Sequence, residues 1–153
     1  MESRTGETRT EQLGRNVNEL LQELRVAQAG VQILFGFLLT VVFTAQFRAA
    51  SGFEKALHLS AVLLAVSATA LLAAPAVRHR VLFRAGARED IVAMGNRVVV
   101  AGLVCLALAI TTTVALIAKV VYGSVGMAIV AGAVLVLFAI LWAVVPRLVR
   151  WRG

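Results

Sequence analysis

The sequence predicts an all-α integral membrane protein, a four-transmembrane-helix bundle with an amphipathic cytoplasmic N-terminal helix. Sixty per cent of its 153 residues are apolar. They gather into four runs, 26–47, 56–77, 98–118 and 124–145, rather than alternating or recurring every three to four residues as in a soluble core. None of these runs contains a charged side chain; the nearest ones flank their ends. At ~1.5 Å per residue, a run of about 20 residues covers the ~30 Å hydrocarbon core of a bilayer. Lipid offers the backbone no hydrogen bonds, so each run is expected to be helical.

Residues 1–25 form a separate cytoplasmic segment. Glu2, Glu7, Glu11, Glu19 and Glu23 lie among its arginines, and no short apolar stretch with a cleavage site follows, so it does not read as a secretory signal. Leu13, Val17, Leu20, Leu21 and Leu24 recur at helical spacing, and Thr8 with Glu11 has the spacing of a capping box. Two readings stand for this helix: it lies on the membrane surface, or it docks on protein. Its polar face is mixed in charge rather than basic.

The transmembrane domain covers 26–146, and a basic tail, 147–153, follows it. Orientation comes from the flanks. Arg4, Arg9, Arg15 and Arg25 precede the first run; Arg78, Arg80, Arg84, Arg88 and Arg97 separate the second from the third; Arg147, Arg150 and Arg152 follow the fourth. The other connections hold only Arg48, Lys55 and Lys119. The positive-inside rule therefore puts both termini in the cytoplasm of a multi-pass protein. Trp142 and Trp151 fall near the inner boundary and Tyr122 near the outer one, where amphipathic rings are favoured. The short outer connections make the first two helices, and the last two, antiparallel neighbours. Between Arg78 and Arg97, the trio Arg88, Glu89 and Asp90 suits a helix start, because acidic groups offset the positive end of a helix. Pro75 marks a kink or the last turn of the second helix.

The net charge of +7 is placed against headgroups rather than on one folded face, so the expected partner is the lipid bilayer and not nucleic acid. One cysteine, Cys105, permits no internal disulfide and reads as a structural thiol. His58 and His79 stand at opposite ends of the second helix, about 30 Å apart, and share no metal or catalytic dyad; each reads as an interfacial polar residue. No helix centre carries Asp, Glu, Lys, Arg or His, which argues against ion-coupled transport. No nucleophile with an adjacent base can be assembled. The reading is non-enzymatic, with no cofactor and no metal.

Within the helices, Gln28 and Gln32 stand four residues apart, on the stripe that Leu21 and Leu24 begin. An amide in hydrocarbon seeks a partner, as glue between helices or as the lining of a path. Thr111, Thr112 and Thr113 can bond back to their own helix. Gly126, Ala128, Gly132 and Ala133 give the last helix a small-residue face. On the cytoplasmic side, Glu19, Glu23 and Arg25 emerge beside His79, Arg80, Arg84, Asn96 and Arg97. An ion pair from Glu19 or Glu23 to Arg80, Arg84 or Arg97 would dock the first segment on the bundle.

The run Asn18-Glu19-Leu20-Leu21-Gln22-Glu23-Leu24-Arg25-Val26-Ala27-Gln28, continuing to Gly30-Val31-Gln32-Ile33-Leu34-Phe35, resembles an uncharacterised family of small actinobacterial membrane proteins classed as a domain of unknown function. Ala74-Pro75, His79-Arg80, Phe83-Arg84 and Asn96-Arg97 look like its second signature. The resemblance covers nearly the whole chain and implies an actinobacterial plasma membrane. Members often carry a sodium:proton antiporter label, which does not suit helices without carboxylates. The sequence thus favours a membrane protein that self-associates as a homo-oligomer or supports a membrane-protein partner. The alternative is a small oligomeric channel or transporter with Gln28 and Gln32 lining its path.

Overall fold

A computed structural model describes residues 9–82 and 90–144, with the side chains of 22, 24–75 and 97–142. The described residues are helical apart from short turns, and no strand occurs among them. Helix α1 runs Arg9–Val41, α2 is the five-residue Ala45–Ala49, α3 runs Gly52–Leu82, and α4 runs Asp90–Ala139 before a π-helical turn at Ile140–Val144. Three of them are long and apolar enough to cross a membrane, over Leu24–Val41, Gly52–Pro75 and Arg97–Trp142.

The amphipathic segment and the first apolar run form one continuous rod, α1. It stops at Val41, short of the predicted 47, because the chain turns over 42–44 and Thr44 starts a new helix by capping Phe47 N–H with its Oγ1 at 3.2 Å. Helix α3 opens on a reciprocal capping box. Ser51 N–H donates to the Glu54 carboxylate at 2.8 Å, and Glu54 N–H donates to Ser51 Oγ at 3.3 Å. Pro75 is accommodated inside α3, which continues to Leu82. The described part of α4 begins at Asp90, within the acidic start that the sequence suggests.

The predicted third and fourth runs lie in one helical stretch interrupted at Gly123, whose φ of 75° and ψ of −168° are not helical. That region is open essentially to glycine alone. Helical backbone therefore covers 90–122 and 124–139 on either side of a single-residue break.

The core lies where α1, α3 and the first part of α4 meet. It contains Leu24, Val31 and Leu38 from α1, Ala61, Ala65, Ala68 and Leu72 from α3, and Ala109 from α4. Small residues bring the rods close together: a Cβ on Gly102 would come within 3.0–3.1 Å of the Leu71 and Leu72 side chains. Leu72 therefore meets α4 at Gly102, and at the other end Lys119 Nζ stands 5.2 Å from the Phe53 ring centre. Early α3 faces late α4, so the two are antiparallel. Hydroxyl groups in the apolar stretches bond to the carbonyl four residues back, as Thr111 does to Ala107 and Thr113 to Ala109, both at 2.7 Å. Cys105 is half-buried against the core with a free thiol.

Candidate functional site

The turn between α1 and α3 closes one end of the bundle, and beneath it lies a cavity of about 560 Å³. Phe37, Leu38 and Val41 line it from α1, Phe47 from α2, His58 from α3, and Leu116 and Val120 from α4. The lining is apolar, with one charge of each sign, Glu54 and Lys119. Both charges are engaged: the Glu54 carboxylate accepts from Ser51 N–H at 2.8 Å and Ser51 Oγ–H at 2.9 Å, and Lys119 donates to Ser124 Oγ at 3.3 Å.

His58 is the anomaly. The sequence suggests an interfacial polar residue, yet the side chain is only 3% exposed. Its ring packs edge-on against Phe47, with centroids 4.8 Å apart and planes at 61°. Neither Nδ1 nor Nε2 has a hydrogen-bond partner of acceptable geometry, although the Leu38 backbone lies close by. Buried polar groups in proteins are nearly always bonded, so an imidazole with two idle nitrogens calls for an explanation. No sequence signal pointed here, because the burial depends on how α2 folds over the bundle end. The Ser51-x-x-Glu54 cap was legible in the pattern Ser-Gly-Phe-Glu.

Gln28 and Gln32 stand elsewhere. Gln28 is half-buried and Gln32 is exposed, both outside the core cluster. A row stepping by four residues gains about 40° per step, whereas a step of seven drifts only about 20°. Leu24, Val31 and Leu38 therefore hold the core face, while Gln28, Gln32, Gly36 and Thr40 wind outward. Gly36 carries open space where a Cβ would be, and Thr40 Oγ1 is satisfied by the Gly36 carbonyl at 2.9 Å.

Of the charge cluster that the sequence leads one to expect on the cytoplasmic side, Arg25 and Arg97 have described side chains, and both are exposed. Arg84 and the side chains of Glu19, Glu23, His79, Arg80 and Asn96 lie outside the described residues, as does Thr8. Among the described residues, no three of His, Cys, Asp and Glu gather into a possible metal site.

With the fold in place, the family is decided by sequence. Residues 6–146 match the family of unknown function DUF6328. The chain belongs to this family. The match takes in α1 through the π-helical turn, so the residues of the polar row, the cavity and the Gly123 break all lie within the matched stretch. Neither the curated proteins nor the solved structures hold a match to the chain.

Proposed function

We propose that this member of DUF6328 is a non-enzymatic plasma-membrane protein of four spans that self-associates through the outward row of α1. The observation that carries the proposal is Gln32, an amide exposed in the middle of a stretch with mean hydropathy 1.6. In a lone subunit that amide would face hydrocarbon without a partner, at a cost of a few kcal/mol. A second copy brings the same row. Two Gln32 amides can then bond across a two-fold axis, and Gly36 lets the backbones approach.

The count of four spans rests on length. The stretch Arg97–Trp142 has 46 residues. As a straight helix it would measure about 69 Å, more than twice the bilayer core. Gly123 divides it near the middle. Before the break, Ala107, Thr111, Ala115 and Ala118 form a buried row apart from the core shared with α1; after it, Met127, Ala131, Val134 and Phe138 are half-covered at matching spacing. A reversal at Gly123 lets the two rows face each other. The charge bias then sets both termini, and the 83–89 connection, on the cytoplasmic side.

Topology is tested by reporter fusions. Those at residue 1, Gly86 and Gly153 should read cytoplasmic and one at Gly52 external; an external reading at Gly86 ends the four-span arrangement. Association is tested in native membranes with Cys105→Ser as background. Gln32→Cys should form a disulfide-linked dimer on mild oxidation, whereas Leu63→Cys, exposed on α3, should not. Gln32→Leu should weaken the dimer roughly threefold to thirtyfold, the equivalent of ~0.6–2 kcal/mol for one interhelical polar contact. An unchanged dimer rejects this interface. Reconstituted vesicles should hold a pH gradient when sodium is added; a gradient that collapses, and is restored by Gln32→Leu, would make the row the lining of a path instead.

A further inference from the structure

We infer that the cavity under the α1–α3 turn is a binding site for an uncharged, largely apolar molecule that offers one hydroxyl or carbonyl oxygen to His58. Its volume, about 560 Å³, lies within the ~300–1,000 Å³ range of small-molecule sites, which are typically apolar with a few placed polar groups. The charges on its lining are one of each sign, and both already have partners, so nothing selects a strongly charged head. Thr113 and Thr44 also spend their hydroxyls locally, on Ala109 and Val41 carbonyls. Gln46 also borders the cavity but is exposed; His58 is the buried polar group with unused capacity, at 3% exposure and with neither nitrogen hydrogen-bonded.

His58 borders the cavity, and both of its ring nitrogens are shut off from solvent. A half-turn about χ2 exchanges ring nitrogens with ring carbons without displacing the ring from Phe47. It would present a nitrogen to the space. A neutral imidazole then offers a donor on one nitrogen and an acceptor on the other. A carbonyl oxygen can use the donor, and a hydroxyl can use either. Phe47 belongs to the short α2 and packs on the ring, so α2 is the part of the turn that holds His58 in place.

The test uses the full chain in phospholipid nanodiscs, with His79→Gln so that ring-15N histidine reports His58 alone. The probes are 1-dodecanol, 2-dodecanone, dodecane and dodecanoate. Saturable shifts of the His58 ring signals are expected with the alcohol and the ketone, and none with the alkane. By calorimetry, His58→Phe, which retains an aromatic ring against Phe47, should bind dodecanol about tenfold more weakly, the loss of one hydrogen bond. His58→Gln, which keeps a donor and an acceptor, should restore most of the affinity. If His58→Phe fails to fold, the wild-type titration and the Gln variant decide. No saturable shift, an equal response to dodecane, tighter binding of dodecanoate than dodecanol, or undiminished binding by a folded His58→Phe each overturns the site.

Discussion

Helix α4 before Gly123 and the same helix after it are alike in composition and opposite in environment. Residues 97–122 bury Gly102, Ala107, Ala109, Thr111, Thr113, Ala115 and Ala118. Residues 124–142 bury no side chain at all, and Val125, Ile129 and Val136 are largely exposed. Hydropathy does not separate the two, since both are long apolar stretches. Residue size against the neighbouring rod does. Where α3 approaches, α4 presents Gly102 and Ala109, while the buried row Ala107, Thr111, Ala115 and Ala118 lies on its opposite face; after Gly123, large aliphatic side chains such as Val125 and Ile129 point outward. For a chain in lipid, the packed face is thus marked by small residues, because lipid tails already satisfy large ones.

Three substitutions probe this contrast by the free energy of unfolding in mixed micelles. Gly102→Val should have the largest effect, a loss of about 3 kcal/mol, because its Cβ alone would crowd Leu71 and Leu72 at 3.0–3.1 Å. A neutral result would mean that α3 and α4 are not held as close as they stand. Gly123→Ala comes next, at about 1–2 kcal/mol, since alanine avoids a φ of 75° with ψ near 180°. If the variant is fully stable, the break is not a fixed feature of the fold. Gly132→Ala should be smallest, within ~0.5 kcal/mol, as the space around its Cβ position is open. A cost there comparable to that of Gly102→Val would show that the far stretch has a close partner in the assembled protein.

The sequence made the rods legible and left their faces hidden. Uninterrupted apolar length can only be helix in a bilayer, so the run from Ala56 onward was readable as a span, and α3 indeed covers Gly52–Leu82. The facing residues were harder. Gln28 and Leu24 are four apart, which suggests one stripe, but the core follows the seven-residue row Leu24, Val31, Leu38, and the 40° drift of the four-residue row carries Gln32 outside. The burial of His58 was hidden for another reason. Its burial is created by Phe47 and Leu38 across a turn whose fold depends on two local caps, and no periodicity encodes that. The charged pairings proposed for Glu19, Glu23 and the arginines fall outside the described side chains, so the fold neither joins nor separates them.

The alanine row of α3 has an evolutionary consequence. Ala61, Ala65 and Ala68 are completely buried against neighbouring helices. A single-base change that alters an alanine codon's meaning yields Gly, Ser, Thr, Val, Pro, Asp or Glu. At these sites Thr and Val would force the rods apart, Pro would break the helix, and Asp or Glu would put a carboxylate inside a span. Only Gly and Ser fit the space. These three positions therefore form a mutational bottleneck: in a library of random variants selected for a folded protein, they should return Ala, Gly and Ser almost exclusively, while outward sites on the same rod such as Leu59, Leu63 and Val66 drift freely among apolar residues.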